Sequence, residues 1–70
     1  MLHYSLALPG RVRVTIYDVA GRAVAQPVDG FESAGPHDLS FDARSLPSGV
    51  YRCRLDADGT VRERTLVHLR

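Results

Sequence analysis

Apolar and polar residues alternate along most of this chain with a period of two. In Arg11–Tyr17, Val12, Val14 and Ile16 take one face and Arg11, Arg13 and Thr15 the other. A strand points successive side chains to opposite faces, so this stretch predicts a half-buried β-strand. Its inward positions are β-branched, and their stiff side chains suit a pleated surface. Asp18-Val19-Ala20-Gly21 breaks the run as a turn, because Asp bonds its own backbone and Gly supplies positive φ. Arg22–Gln26 restarts a short strand, which Pro27 is expected to end because it has no N–H for a ladder.

The same pattern recurs on either side. Leu2, Tyr4, Leu6 and Leu8 alternate with His3, Ser5 and Ala7, and the Pro9-Gly10 turn predicts a hairpin between this strand and the next. Val28–Pro36 reads as the longest loop, with Phe31 dipping back to cap the core. His37–Phe41 alternates again, with Leu39 and Phe41 inward and Asp38, Ser40 and Asp42 outward. Ala43–Ser48 reads as a connection with Leu46 as an inward plug. In Val50–Leu55, Tyr51, Cys53 and Leu55 share one face, and Arg52 and Arg54 the other.

Asp56-Ala57-Asp58-Gly59 fits a three-residue hairpin loop with a bulge, which pairs Asp56 with Thr60. Cys53 then faces Glu63, Arg54 faces Arg62 and Arg52 faces Arg64. A two-residue loop at Asp58-Gly59 would instead set Arg64 beside Cys53 on the core face, an expensive place for an unpaired charge. The bulged register is preferred on that ground. It leaves Glu63 inward, so either the sheet is open there or a second bulge re-aims it; Leu66, Val67 and Leu69 share no strict phase, so irregularity is expected near the end. No stretch reads as a helix. The sum is an all-β, immunoglobulin-like antiparallel β-sandwich of six to seven short strands, forming one domain over residues 1–70.

Composition narrows the chemistry. A chain of 70 residues has a thin core, and one cysteine leaves no disulfide to staple it. Nine basic residues, all Arg, balance eight acidic ones, which argues against a nucleic-acid partner. No apolar run reaches membrane-spanning length, and Met1-Leu2-His3-Tyr4 is no signal peptide. Met1 is read as an added start, and the chain as the last module of a larger protein.

Catalysis and metal binding find little footing. His3, His37 and His68 fall on separate strands without ligand spacing, so no metal is expected. Asp56-x-Asp58-Gly59 lacks the further oxygen ligands of a calcium loop. His37, Asp38 and Ser40 point in alternating directions and cannot form a triad. Cys53, in phase with Tyr51 and Leu55, reads as a buried inert thiol. No enzyme and no cofactor are expected. In the bulged register Arg52, Arg54, Arg62 and Arg64 share one outward face. Interleaved carboxylates such as Asp38 or Asp42 would make that face an ordinary solvated one; otherwise it is a docking surface for an anionic partner.

These residues carry a family resemblance. Tyr4-Ser5-Leu6 before Pro9-Gly10, Val14-Thr15-Ile16-Tyr17-Asp18-Val19-Ala20-Gly21-Arg22-Ala23-Val24, Ser33-Ala34-Gly35, Phe41-Asp42-Ala43, Leu46-Pro47-Ser48-Gly49-Val50-Tyr51 with Arg54-Leu55, and the basic aliphatic ending occur in order over nearly the whole chain. The chain resembles the C-terminal sorting domain of type IX secretion cargo, the Por secretion system type A domain. It is similar also to the immunoglobulin-like domain of flagellar hook-capping proteins. Gly49 and Tyr51 match the family's Gly-x-Tyr motif; read from the residues alone, Gly49 gives backbone freedom at the strand start and Tyr51 core packing with a polar tip. Arg62, Arg64, Val67 and Arg70 stand where that ending is usually Lys-rich. The resemblance implies a secretion and cell-surface attachment signal recognised by the type IX translocon. It also implies an upstream cargo domain in cis, passage through periplasm and outer membrane, a sortase-like peptidase, and linkage of cargo to anionic lipopolysaccharide. Gly49, Tyr51, Arg52, Arg54, Arg62, Arg64, Val67 and Arg70 are therefore the candidate recognition residues. A structural spacer, a carbohydrate-binding accessory module and a hook-capping assembly domain are the rival readings; no row of exposed aromatics supports the carbohydrate one, leaving only Tyr17 and Phe31.

Overall fold

The computed structural model describes residues 2–39, 46–57 and 59–69. Met1, the expected inward Phe41, the outward Ser40 and Asp42, the first part of the Ala43–Ser48 connection, Asp58 of the hairpin turn and the candidate Arg70 lie outside the described residues. Among the described residues six strands form two antiparallel sheets: β1 (Leu2–Leu6), β2 (Gly10–Tyr17), β3 (Ala23–Glu32), β4 (Gly35–Leu39), β5 (Gly49–Ala57) and β6 (Thr60–His68). One sheet has four strands in the order β3-β2-β5-β6, and the other is the pair β1-β4. The small sheet covers part of the inner face of the large one in a sandwich-like arrangement.

β2 organises this arrangement. Val12, Val14 and Ile16 are its inward residues and are the most deeply buried side chains of the core, with Ile16 only 1% exposed. Leu6, Tyr51 and Cys53 complete the buried cluster, and Tyr4, Leu39, Leu46, Leu55 and Leu66 pack against it. Leu39 and Leu46 thus take the inward places that their phase predicts.

The expected β1–β2 hairpin does not form. β1 pairs with β4 instead, Tyr4 opposite His37 and Leu6 opposite Gly35. Both edges of β2 are already occupied, by β3 and β5. β1 can therefore meet β2 only through its face, and the Ala7-Leu8-Pro9 link carries the chain from one layer to the other. Leu8, in that link, leaves the core and is exposed.

β3 is also longer than expected. It runs through Pro27 to Glu32 and absorbs most of the predicted Val28–Pro36 loop. Pro27 is tolerated because β3 is an edge strand and bulges there. Val14 faces Val28 and Ile16 faces Ala25, so Gln26 and Pro27 together oppose Thr15. The bulge folds Gln26 over Thr15, whose hydroxyl accepts a 3.4 Å hydrogen bond from Gln26 Nε2. That cover explains why Thr15 is buried although it points away from the core. Phe31 does not cap the core. Its register opposite Arg11 puts it on the outer face, 78% exposed.

The turn at Asp18 forms as expected. Asp18 Oδ1 accepts from the backbone N–H of Ala20 and of Arg22, both at 3.0 Å, and Gly21 takes φ 84°. These backbone donors, the one from Arg22 first, hold the Asp18 carboxyl below its ordinary pKa.

The core is small, so its members should be individually important. Ile16→Ala is expected to lose about 2–5 kcal/mol of stability by urea denaturation, whereas Phe31→Ala should stay within about 0.5 kcal/mol of the parent.

Candidate recognition surface

The β5–β6 hairpin holds seven of the eight candidate residues, and its register decides where they point. Ala57 faces Thr60, leaving two residues in the turn, with Gly59 at φ 75°. This is the register that the burial argument disfavoured. Cys53 faces Arg64, Leu55 faces Arg62, Arg54 faces Glu63 and Arg52 faces Thr65. The penalty for an inward Arg64 does not arise, because the small sheet leaves this part of the inner face uncovered and Arg64 is exposed. Glu63 turns outward, and β6 runs without a register shift to His68, so neither the second bulge nor the irregular ending occurs. Leu66 faces in, Val67 faces out opposite Val50, and Leu69 lies exposed beyond the strand.

The four arginines therefore do not share a face. Arg52 and Arg54 stand on the outer face of the large sheet, Arg62 and Arg64 on its inner face. On the outer face, carboxylates separate the guanidiniums. Arg52 Nε lies 3.4 Å from Glu63 Oε2, Arg54 Nε 3.3 Å from Asp56 Oδ1, and Asp29 Oδ1 takes Arg11 at 3.4 Å and Arg13 at 3.8 Å. The interleaving acids are Asp29, Asp56 and Glu63. Asp38, which was expected to help here, instead meets His3 Nδ1 at 2.5 Å on the small sheet. Arg62 and Arg64 are different: neither has a carboxylate within ion-pair distance among the described residues.

Tyr51 and Gly49 point inward. Tyr51 is buried, donates a 2.5 Å hydrogen bond to the Pro47 carbonyl, and meets His68 edge to face at 6.4 Å. An apolar ring with a satisfied polar tip is a packing role. Gly49 faces His68 without a positive φ, and a Cβ there would meet only the Tyr51 ring, at 4.0 Å. The freedom expected of Gly49 at the strand start is thus not used in its backbone. Cys53 is a buried free thiol; burial pushes its pKa up, against the pull of the Arg64 guanidinium, so it is a poor nucleophile.

One cluster was not legible from spacing. Tyr4, Glu32 and His37 meet where the two sheets join. Tyr4 donates its hydroxyl to Glu32 Oε1, stacks on His37 with ring centres 5.2 Å apart, and His37 Nδ1 lies 3.4 Å from Glu32 Oε2. The nearest signal is the inward phase of Tyr4 and His37, but it takes the β1–β4 pairing to bring them together. Burial, then the hydrogen bond and charge of Glu32, push the Tyr4 phenol up to about 12. Tyr17 and Phe31 lie near opposite ends of β2, beside Arg52 and Arg11 respectively, and make no aromatic platform.

A family profile described as the secretion system C-terminal sorting domain matches residues 2–68. Neither a curated protein nor a solved structure gave a match to the chain. A two-layer antiparallel β-module with an exposed edge hairpin is the class of protein that the fold defines. The chain belongs to the secretion system C-terminal sorting domain family. It is a sorting signal for cargo of type IX secretion, recognised by that machinery, and its family is one of signals rather than catalysts. The cargo it serves is exported, to be secreted or held at the cell surface.

Two measurements check this geometry. The raised Tyr4 pKa means that the folded state favours the neutral phenol, so its contribution is whole below the ordinary value near 10 and is lost as pH climbs towards about 12. Urea midpoints should therefore fall across that window, and Tyr4→Phe should remove that part of the slope. A double-mutant cycle on Arg52 and Glu63 should give a coupling of about 0.5 kcal/mol that weakens in salt.

Proposed function

We propose that the type IX translocon reads the β5–β6 hairpin as a folded surface. Gly49, Tyr51, Arg52, Arg54, Arg62, Arg64, Val67 and Arg70 are its recognition residues in this reading. The observation that carries it is the position of β6. It is the edge strand of the large sheet, its residues Thr60–Thr65 are exposed on both faces, and Val67 is 70% exposed. An edge strand offers unpaired backbone groups as well as side chains, which suits recognition by strand addition. Tyr51 acts by holding the hairpin against the core rather than by touching the partner.

In the same reading residues 1–70 form one module at the end of a larger exported protein, with the cargo domain upstream in cis. The cargo passes through the periplasm and across the outer membrane. A sortase-like peptidase then acts upstream of the domain and joins the cargo to anionic lipopolysaccharide. The similarity to hook-capping immunoglobulin-like domains is one of architecture in this account. A spacer or a carbohydrate-binding module is less well supported, since among the described residues the outer face is a charge-paired surface without an aromatic row.

The test fuses Met1–Arg70 to the C-terminus of an exported fluorescent reporter in a type IX-competent host. A second fusion lacks Leu66–Arg70. Export of the first with the second retained in the periplasm is the expected result. Equal export of both would remove the last strand from the recognition surface, and periplasmic retention of both, with the domain folded, would count against sorting by this module.

A further inference from the structure

The small sheet stops at β1, and beside it lies an open groove of about 740 Å³. Its floor is the inner face of β5, supplied by Cys53, Leu55 and Ala57. These are alternate residues, as a strand presents from its face. β1 contributes differently. Every residue from His3 to Leu6 lines the groove, both phases together, and Ala7 and Leu8 of the following link continue the lining. A strand that borders a space with both phases borders it with its edge. That edge is unpaired among the described residues, where β1 bonds only to β4. On the far side stand Thr60, Arg62, Glu63 and Arg64 of β6, with Arg62 and Arg64 on its inner face and the Glu63 carboxylate turned outward to Arg52.

Charge marks the same place. Arg11, Arg13, Arg22, Arg52 and Arg54 each have a carboxylate within 4 Å. Arg62 and Arg64 have none among the described residues, and they are the two that flank the groove. Packed sheets lie about 10 Å apart, a distance that an extended arginine side chain largely spans. Extended Arg62 and Arg64 side chains can therefore reach a strand lying beside β1.

We infer that this groove is a docking site for an extended, acidic segment of a partner polypeptide, added as a third strand to the β1–β4 sheet. Its backbone pairs with the free edge of β1. Its apolar side chains settle on Leu55, Ala57 and Cys53, and its carboxylates meet Arg62 and Arg64 through forked, charge-assisted hydrogen bonds. This deepens the recognition reading and rests on it only for the biological use of the site; the binding itself is measured without export.

The test titrates the isotope-labelled 70-residue chain with the peptide acetyl-Thr-Val-Glu-Val-Glu-Val-Thr-amide and follows the backbone amides by NMR. Its counterpart carries Lys at both Glu positions. The acidic peptide is expected to shift Ser5, Leu6 and Ala7 together with Arg62 and Arg64, saturably, with a Kd on the order of 0.1–1 mM. The lysine peptide should bind at least about tenfold more weakly, and the R62E/R64E chain should invert that preference. Acidic peptide with alternate amides N-methylated should not bind, because it cannot pair with β1. Absence of shifts, equal response to both charge types in the unmodified chain, or shifts centred on Arg52 and Arg54 would overturn the inference. The comparison of the two peptides needs no variant, so it stands even if R62E/R64E fails to fold.

Discussion

Everything in this domain leans on the inner stripe of β2. Val12, Val14 and Ile16 are the largest fully buried side chains among the described residues, and their strand is paired along both edges. A strand held on both sides has one way left to bury its apolar face, which is to be covered from above. That requirement sends β1 into a second layer and denies it a hairpin with its sequence neighbour. With two strands in that layer among the described residues, the cover is narrow. The part of the inner face at Arg62 and Arg64 stays open, and there two arginines stand without a carboxylate partner among the described residues.

Much of the architecture was legible in the residues. β2 and β5 could be read from period-two alternation alone, because each has one buried and one wet face. The Asp18 turn could be read because a carboxylate and a positive-φ glycine are the local chemistry of that turn. What spacing did not reveal was pairing between distant strands. β1 with β4, and the meeting of Tyr4, Glu32 and His37, depend on which edges are left free after β2 is satisfied. Pro27 looked like a stop because a central strand rejects it; on an edge strand it sits in a bulge.

The hairpin register was misread for a specific reason. Placing Arg64 beside Cys53 is costly only if that part of the inner face is sealed, and the narrow upper sheet does not seal it. Once the two-residue turn is in place, the charge pattern follows. Glu63 turns out to pair with Arg52, Asp56 serves Arg54, and the outer face becomes an ordinary solvated surface of alternating charge. The inner arginines gain no such partners among the described residues. For a sorting signal this division matters: the two arginines without a carboxylate partner among the described residues border the open edge of β1. Surface pairs contribute little to stability, so the arrangement bears on recognition more than on folding.

The register of β5 against β6 is thus the fact on which the functional account turns. The direct measurement is the set of cross-strand nuclear Overhauser contacts in the hairpin. The account predicts contacts between Arg54 and Glu63 and between Cys53 and Arg64. Contacts of Arg54 with Arg62, and of Cys53 with Glu63, would return all four arginines to one face and contradict it.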